Sequence, residues 1–131
     1  MRIGVLEDDA AIQEMLQLVL QDEGYSVVNF LDADACLAAF GLDELDAVAT
    51  ADLMIIDWRL NGPISGIEVI HKIRSQSRFA ALPIILTTAA TYVDPDELQQ
   101  MHVALLEKPF AVDDMISLIK DLIASSNQPN V

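Results

Sequence analysis

The sequence predicts an α/β domain: a doubly wound, five-stranded parallel sheet with five helices on its two faces. Three observations predict it. Short apolar runs alternate with amphipathic stretches along the chain, and parallel neighbours need crossover connections of that kind. The third run, residues 53–56, is continuously apolar, as a central strand covered on both faces must be. Acids, hydroxyls and a lysine stand directly after the apolar runs, at the strand ends where such sheets bind ligands.

Each element follows from local pattern. Residues 2–6 are short, apolar and followed at once by Glu7, Asp8 and Asp9, which makes them the first strand. Ile12, Met15, Leu16, Val19 and Leu20 recur at helical spacing, and Gly24 stands where that helix stops. Aromatic and β-branched residues at 25–30 predict the second strand. Asp32 is placed to cap the second helix, which carries Ala35, Leu37 and Ala38 before Gly41 interrupts it. Residues 42–51 fit either a further helical turn or a long connection. After the third strand, Asn61, Gly62, Pro63 and Ser65 form a loop, and Ile67, Ile70 and Ile73 mark the third helix. Pro83 opens the fourth strand at 84–86. Asp94, Pro95, Asp96 and Glu97 combine a capping carboxylate, a first-turn proline and acids facing the positive helix end. Residues 103–106 are the fifth strand, and Met115, Leu118, Ile119 and Leu122 build the last helix. The domain therefore spans 1–124, with a polar tail at 125–131.

Composition narrows the function. The 131 residues are 53% hydrophobic and 21% charged, enough apolar content for one well-packed domain. Seven Lys and Arg against 21 Asp and Glu give a net charge of -14. Such a surface repels nucleic acid phosphate and anionic lipid, which argues against direct binding of either. No apolar run reaches bilayer-spanning length. Acids at positions 7–9, where a signal peptide needs apolar residues, and a single cysteine both fit a cytoplasmic protein.

The strand ends carry the chemistry. Glu7, Asp8 and Asp9 follow the first, Asp57 the third, Thr87 and Thr88 the fourth, and Lys108 with Pro109 the fifth. Asp9 serves equally well as a helix cap. If strands one and three are neighbours, their acids crowd together, repel and require a cation. All-oxygen ligation with open positions suits Mg2+, and a hydroxyl with an ammonium suits a tetrahedral anion. Together they describe phosphoryl transfer to an aspartate.

At these positions the chain closely resembles the receiver domain of bacterial two-component response regulators. The resemblance rests on IGVLEDD at 3–9, LMIIDWRL at 53–60, PIILTTA at 83–89 and EKPF at 107–110, in order and at family-like intervals. It implies a flavodoxin-like sheet with strand order 2-1-3-4-5 and a signalling phosphoacceptor rather than an enzyme with its own substrate. Carried over residue by residue, it implies that Asp57 accepts the phosphoryl group from a histidine kinase or a histidine phosphotransfer protein. Asp8 and Asp57 would ligate Mg2+ directly, the carbonyl of Arg59 would add an oxygen, and Glu7 would act through water. Thr88, which precedes Ala89, and Lys108 would contact the phosphoryl oxygens, and the Lys108–Pro109 bond is often cis in this family. Output would pass to a downstream protein target or a further output domain.

The chain departs from the family pattern at several points. Leu105 stands where Tyr or Phe is common, three residues before the lysine, and Tyr92 is a candidate substitute. Asn61 replaces a frequent proline, the loop glycine comes one residue late at Gly66, and the 42–51 connection is long. Arg59 occupies a position that tends to tune phosphoryl lifetime in this family. Two other readings are compatible with the residues. One is a pseudo-receiver that binds partners without phosphorylation; the other is a Mg2+-dependent phosphohydrolase with an Asp nucleophile, although Trp58 and Arg59 offer no second acid close behind. His71 and His102 read as surface residues, and Cys36 as a buried small hydrophobe. Lys72, Arg74 and Arg78 read as a solvated helix end.

Overall fold

A computed structural model describes residues 1–39, 51–60, 62, 64–76, 79–89 and 95–126. The elements alternate as the sequence predicts: β1 (Arg2–Leu6), α1 (Ala10–Asp22), β2 (Ser26–Phe30), α2 (Ala33–Ala39), β3 (Leu53–Asp57), α3 (Gly66–Arg74), β4 (Ile84–Thr88), α4 (Pro95–Met101), β5 (Ala104–Glu107) and α5 (Val112–Ser126). The five strands are parallel, in the order β2-β1-β3-β4-β5. β1 and β3 are therefore neighbours, the condition on which the meeting of their acids depends.

Alternation within each strand feeds two cores. Ile3, Val5, Leu53, Ile55 and Ile85 pack against Leu16 and Leu20 of α1 and Met115, Ile116 and Ile119 of α5. Leu6, Met54, Ile56, Ile84 and Leu86 face the other way, onto Cys36 of α2, Val69, Ile70 and Ile73 of α3 and Met101 of α4. Every residue of β3 and β4 is buried, whereas β5 is only half-covered. Cys36 is fully buried, and desolvation pushes its thiol up to about 12, so it packs as the expected hydrophobe.

The helix starts are held by side chains. Asp9 Oδ1 accepts from the Ala11 and Ile12 amides at 2.9 and 3.2 Å, and Asp32 Oδ1 accepts from Ala35 N at 2.7 Å. Ser65 Oγ accepts from the Glu68 amide at 3.2 Å and so caps α3, at a Ser-x-x-Glu pattern in the sequence. Gly24 closes α1 in the left-handed region, at φ +92°.

Several details differ from the sequence expectation. β2 starts one residue later, at Ser26, and β3 includes Asp57. β4 runs two residues longer, through Thr88, because the threonines continue its ladder: Asp57 pairs with Thr87 and Thr88 with Glu107. β5 starts one residue later, at Ala104, and includes Glu107. α5 continues through Ser126, into the stretch read as tail. Arg74 is no solvated helix end. Its guanidinium is partly buried and donates to the carbonyls of Met101 (2.9 Å), Phe79 (2.7 Å), Ala80 (3.3 Å) and His102 (3.0 Å), so it clamps the start of β4 to the end of α4. Residues 42–50, Asn61, Arg78, Tyr92 and Asp94 lie outside the described residues.

Candidate functional site

The crevice follows from topology. α1 leaves β1 for one face of the sheet and α3 leaves β3 for the other, so a cleft opens between the two strand ends. Glu7 and Asp8 follow β1 and Asp57 ends β3. The three residues each place a carboxylate oxygen within 4.8 Å of the others. Glu7 is 3% and Asp57 6% exposed, and Asp8 is half-buried.

Backbone contacts lock this arrangement. Trp58 N donates to the Thr87 carbonyl and Gly66 N to the Trp58 carbonyl, both at 2.9 Å, which folds the chain sharply after Asp57. A side chain on Gly66 would strike the Asp57 carbonyl oxygen, so the close approach requires glycine there. Arg59 is exposed, two residues beyond Asp57.

Lys108 closes the pocket from the far side. Its amide donates to the Thr88 carbonyl at 2.7 Å, and the Lys108–Pro109 bond is cis. Nζ reaches Glu7 Oε2 at 3.2 Å and Asp57 Oδ1 at 3.3 Å. Burial alone would lower the lysine's pKa, but the carboxylates of Asp57 and Glu7 outweigh it and hold it above the ordinary lysine value. Glu7 is pushed above the ordinary carboxylate value, chiefly by burial. The Asp57 charge adds to this, against the Asp9 amide and Lys108. Three carboxylates against one ammonium leave an excess of negative charge, and the donors are all oxygen. That donor set fits a hard divalent cation such as Mg2+.

The structure thus brings together Glu7, Asp8, Asp57 and Lys108, with Thr88 buried at the end of β4, one residue beyond Asp57's ladder partner. Asp9 is engaged as the cap of α1. Leu105, at the usual aromatic position, is half-buried, pairs in register with Leu86 and packs on the α2–α3–α4 side. His71 and His102 are exposed and stand apart from the acids. His102 adopts a left-handed conformation, φ 56°, at the end of α4. Gln13 was not singled out from sequence, although its buried side chain lies directly behind Glu7. Beside Lys108, a cavity of about 350 Å3 is lined by Ile12, Met15, Ala89, Pro109 and Phe110. Among the described residues, no helix is long and apolar enough to cross a membrane.

Comparison with known proteins converges on one family. The sequence profile of the response regulator receiver domain matches residues 3–120. The phosphate regulon transcriptional regulatory protein PhoB of Escherichia coli (strain K12) is 31% identical over 122 residues, covering 91% of this chain and 50% of that protein. PhoB of Rhizobium meliloti is 30% identical over 125 residues, covering 93% and 52%. The chain spans about half the length of these curated relatives. Among solved structures, the response regulator protein TrrA of Thermotoga maritima, crystallised in complex with Mg(2+)-BeF, superposes with a TM-score of 0.75 at 30% identity. That match covers 92% of this chain and 97% of that one. The chemotaxis protein CheY4 of Vibrio cholerae gives 0.74 at 26% identity with the same coverage. With the acidic pocket in place and the profile running from β1 into α5, the chain belongs to the response regulator receiver domain family, a signalling fold of two-component systems.

Proposed function

We propose that this domain is a Mg2+-dependent phosphoacceptor whose reactive group is the carboxylate of Asp57. One observation carries the reading: the carboxylates of Glu7, Asp8 and Asp57 and the ammonium of Lys108 converge on one cleft at the carboxyl end of the sheet. The phosphodonor is a phosphohistidine on a sensor kinase or a histidine phosphotransfer protein, and the apolar cavity beside Lys108 gives such a protein a surface to rest on. The reaction belongs to the cytoplasm, where such donors meet a soluble acceptor.

An Asp57 carboxylate oxygen attacks phosphorus, forming a P–O bond as the P–N bond breaks. The departing imidazole nitrogen keeps the electron pair and takes a proton. Asp8, Asp57 and the Arg59 carbonyl, with Glu7 through water, would hold Mg2+, which would supply neutralising charge for the acids and the phosphoryl oxygens. Lys108 is already aimed at Asp57 and moves onto a phosphoryl oxygen as that charge arrives. The Thr88 hydroxyl donates to another. The same groups serve hydrolysis when water is the acceptor, so the domain catalyses its own phosphorylation and dephosphorylation and has no independent substrate.

Phosphorylation exchanges the single charge of the Asp57 carboxylate for an acyl phosphate of about −1.5 to −2, a net gain of up to about one negative charge on atoms that reach further into the cleft. That charge draws Thr88 and Lys108 inward and shifts the population of the segment between them, which contains α4 and β5. A downstream protein, or an output domain in a longer chain, reads that shift; the named relatives are transcriptional regulators about twice as long. TrrA's complex with Mg(2+)-BeF supports the reading, because tetrahedral beryllium fluoride has the shape of a phosphoryl group.

The test is incubation with Mg2+ and acetyl phosphate, followed by intact mass. Wild type gains one phosphoryl adduct and Asp57→Asn gains none. A single adduct that persists on Asp57→Asn, or none on wild type with several phosphodonors, overturns the reading.

A further inference from the structure

Among the described residues the buried polar side chains are Glu7, Gln13, Asp57, Thr87 and Thr88, and all of these but Gln13 stand at the strand ends of the cleft. Gln13, the fourth residue of α1, approaches from behind. Its Nε2 lies 3.3 Å from the Glu7 carbonyl and 3.0 Å from the Phe30 carbonyl, and donates to both. A carboxamide nitrogen has two hydrogens, and both are committed here.

These two carbonyls stand where β1 and β2 part. The last register pair of that ladder is Leu6 with Phe30. Beyond it, the backbone bond from Glu7 N to Phe30 O is stretched to 3.4 Å. Glu7 thus leaves the sheet with a weakened ladder at the point where its carboxylate and that of Asp8 must face Asp57. Like charges at such distances push the strand ends apart. A neutral donor behind the backbone resists that push without adding charge to the pocket.

We infer that Gln13 is a positioning residue: its carboxamide anchors the Glu7 backbone at the fork of β1 and β2, and so sets the Glu7 and Asp8 carboxylates toward the cation site. The inference rests on the phosphoacceptor reading above, in which these acids serve Mg2+. Mg2+ demands near-ideal geometry of its oxygen ligands, so slack in the backbone that carries them is felt as lost affinity.

Gln13→Met keeps the length and flexibility of the side chain and removes both donors. Mg2+ is titrated while the backbone amides of Asp8, Asp57 and Lys108 are followed by NMR, and folding is checked by circular dichroism and thermal melting. The expected result is a folded variant that binds Mg2+ about 10-fold more weakly. Without any metal, its Glu7 amide also exchanges with solvent faster than in wild type. A side chain with a merely structural role lowers the melting temperature and leaves both readouts unmoved. Folded Gln13→Met with wild-type Mg2+ affinity therefore overturns the inference and leaves the phosphoacceptor reading standing. If Gln13→Met does not fold, Gln13→Asn, too short to span both carbonyls, is judged by the same criterion. Absence of any Mg2+ response in wild type overturns both together.

Discussion

Arg74 and Lys108 are partly buried cations at opposite ends of the same sheet, and their partners are of different kinds. Helices run back against the strands in this architecture, so the end of α3, where Arg74 stands, lies where strands begin. Lys108 follows β5, where strands finish. Arg74 meets four backbone carbonyls, which are neutral, fixed and satisfied by it. Lys108 meets the carboxylates of Glu7 and Asp57, which carry the opposite charge and outnumber it even before Asp8 is included. Burial presses on the charge of both side chains. The difference teaches that a buried cation marks a site only through its partners. Carbonyls make it a brace, whereas surplus carboxylates make it one of several cations that the pocket can hold.

The comparison breaks most visibly at the brace. Arg74→Met strands four carbonyls and is expected to cost about 3 kcal/mol in urea unfolding, with Mg2+ affinity of the folded protein unchanged. A stability close to wild type would show that the carbonyls find water or new donors easily, and the contrast with Lys108 would fail. At the other end the effect is smaller and reads out differently. Lys108→Met removes a charge that competes with Mg2+ for the same oxygens, so Mg2+ should bind about 1 kcal/mol more tightly, roughly fivefold. Weaker binding would mean that the lysine organises the acids rather than neutralising them. The smallest effect sharpens the boundary of the pocket. Asp9→Ala should lose about 0.5–1 kcal/mol of thermal stability as an N-cap while Mg2+ affinity stays within about twofold. A larger affinity loss would assign Asp9 to the cleft as well as to α1.

Much of the cleft was legible because its residues end apolar runs. Residues 53–56 announce a covered strand, and whatever follows such a strand stands at the rim, which is how Asp57 stood out. The same logic placed Glu7, Asp8 and Lys108. Arg74 reads as solvated because two of its four partners, Met101 and His102, lie 27 and 28 residues away, and no local pattern carries that information. Gln13 was missed although a signal existed. It precedes Leu16 and Leu20 by three and seven residues, on the buried stripe of α1, where a polar side chain needs a reason. Thr87, read as strand packing, lies inside β4, and Thr88 joins it there because β-branching and the ladder to β5 extend the strand past Leu86. Leu105 tells another part of the story. Its half-buried packing against the α2–α3–α4 side explains how an aliphatic residue is accommodated there.

The ion pair between Glu7 and Lys108 joins residues 101 positions apart. On the ribosome, the acidic turn after β1 is made well before the residue that offsets its charge, which is among the last of the domain's sheet to emerge. Throughout that interval the nascent chain carries an uncompensated anionic knot at the heart of its future fold. Any cation that visits it would act as a stand-in for the lysine, helping β1 and β3 to lie side by side before translation reaches β5.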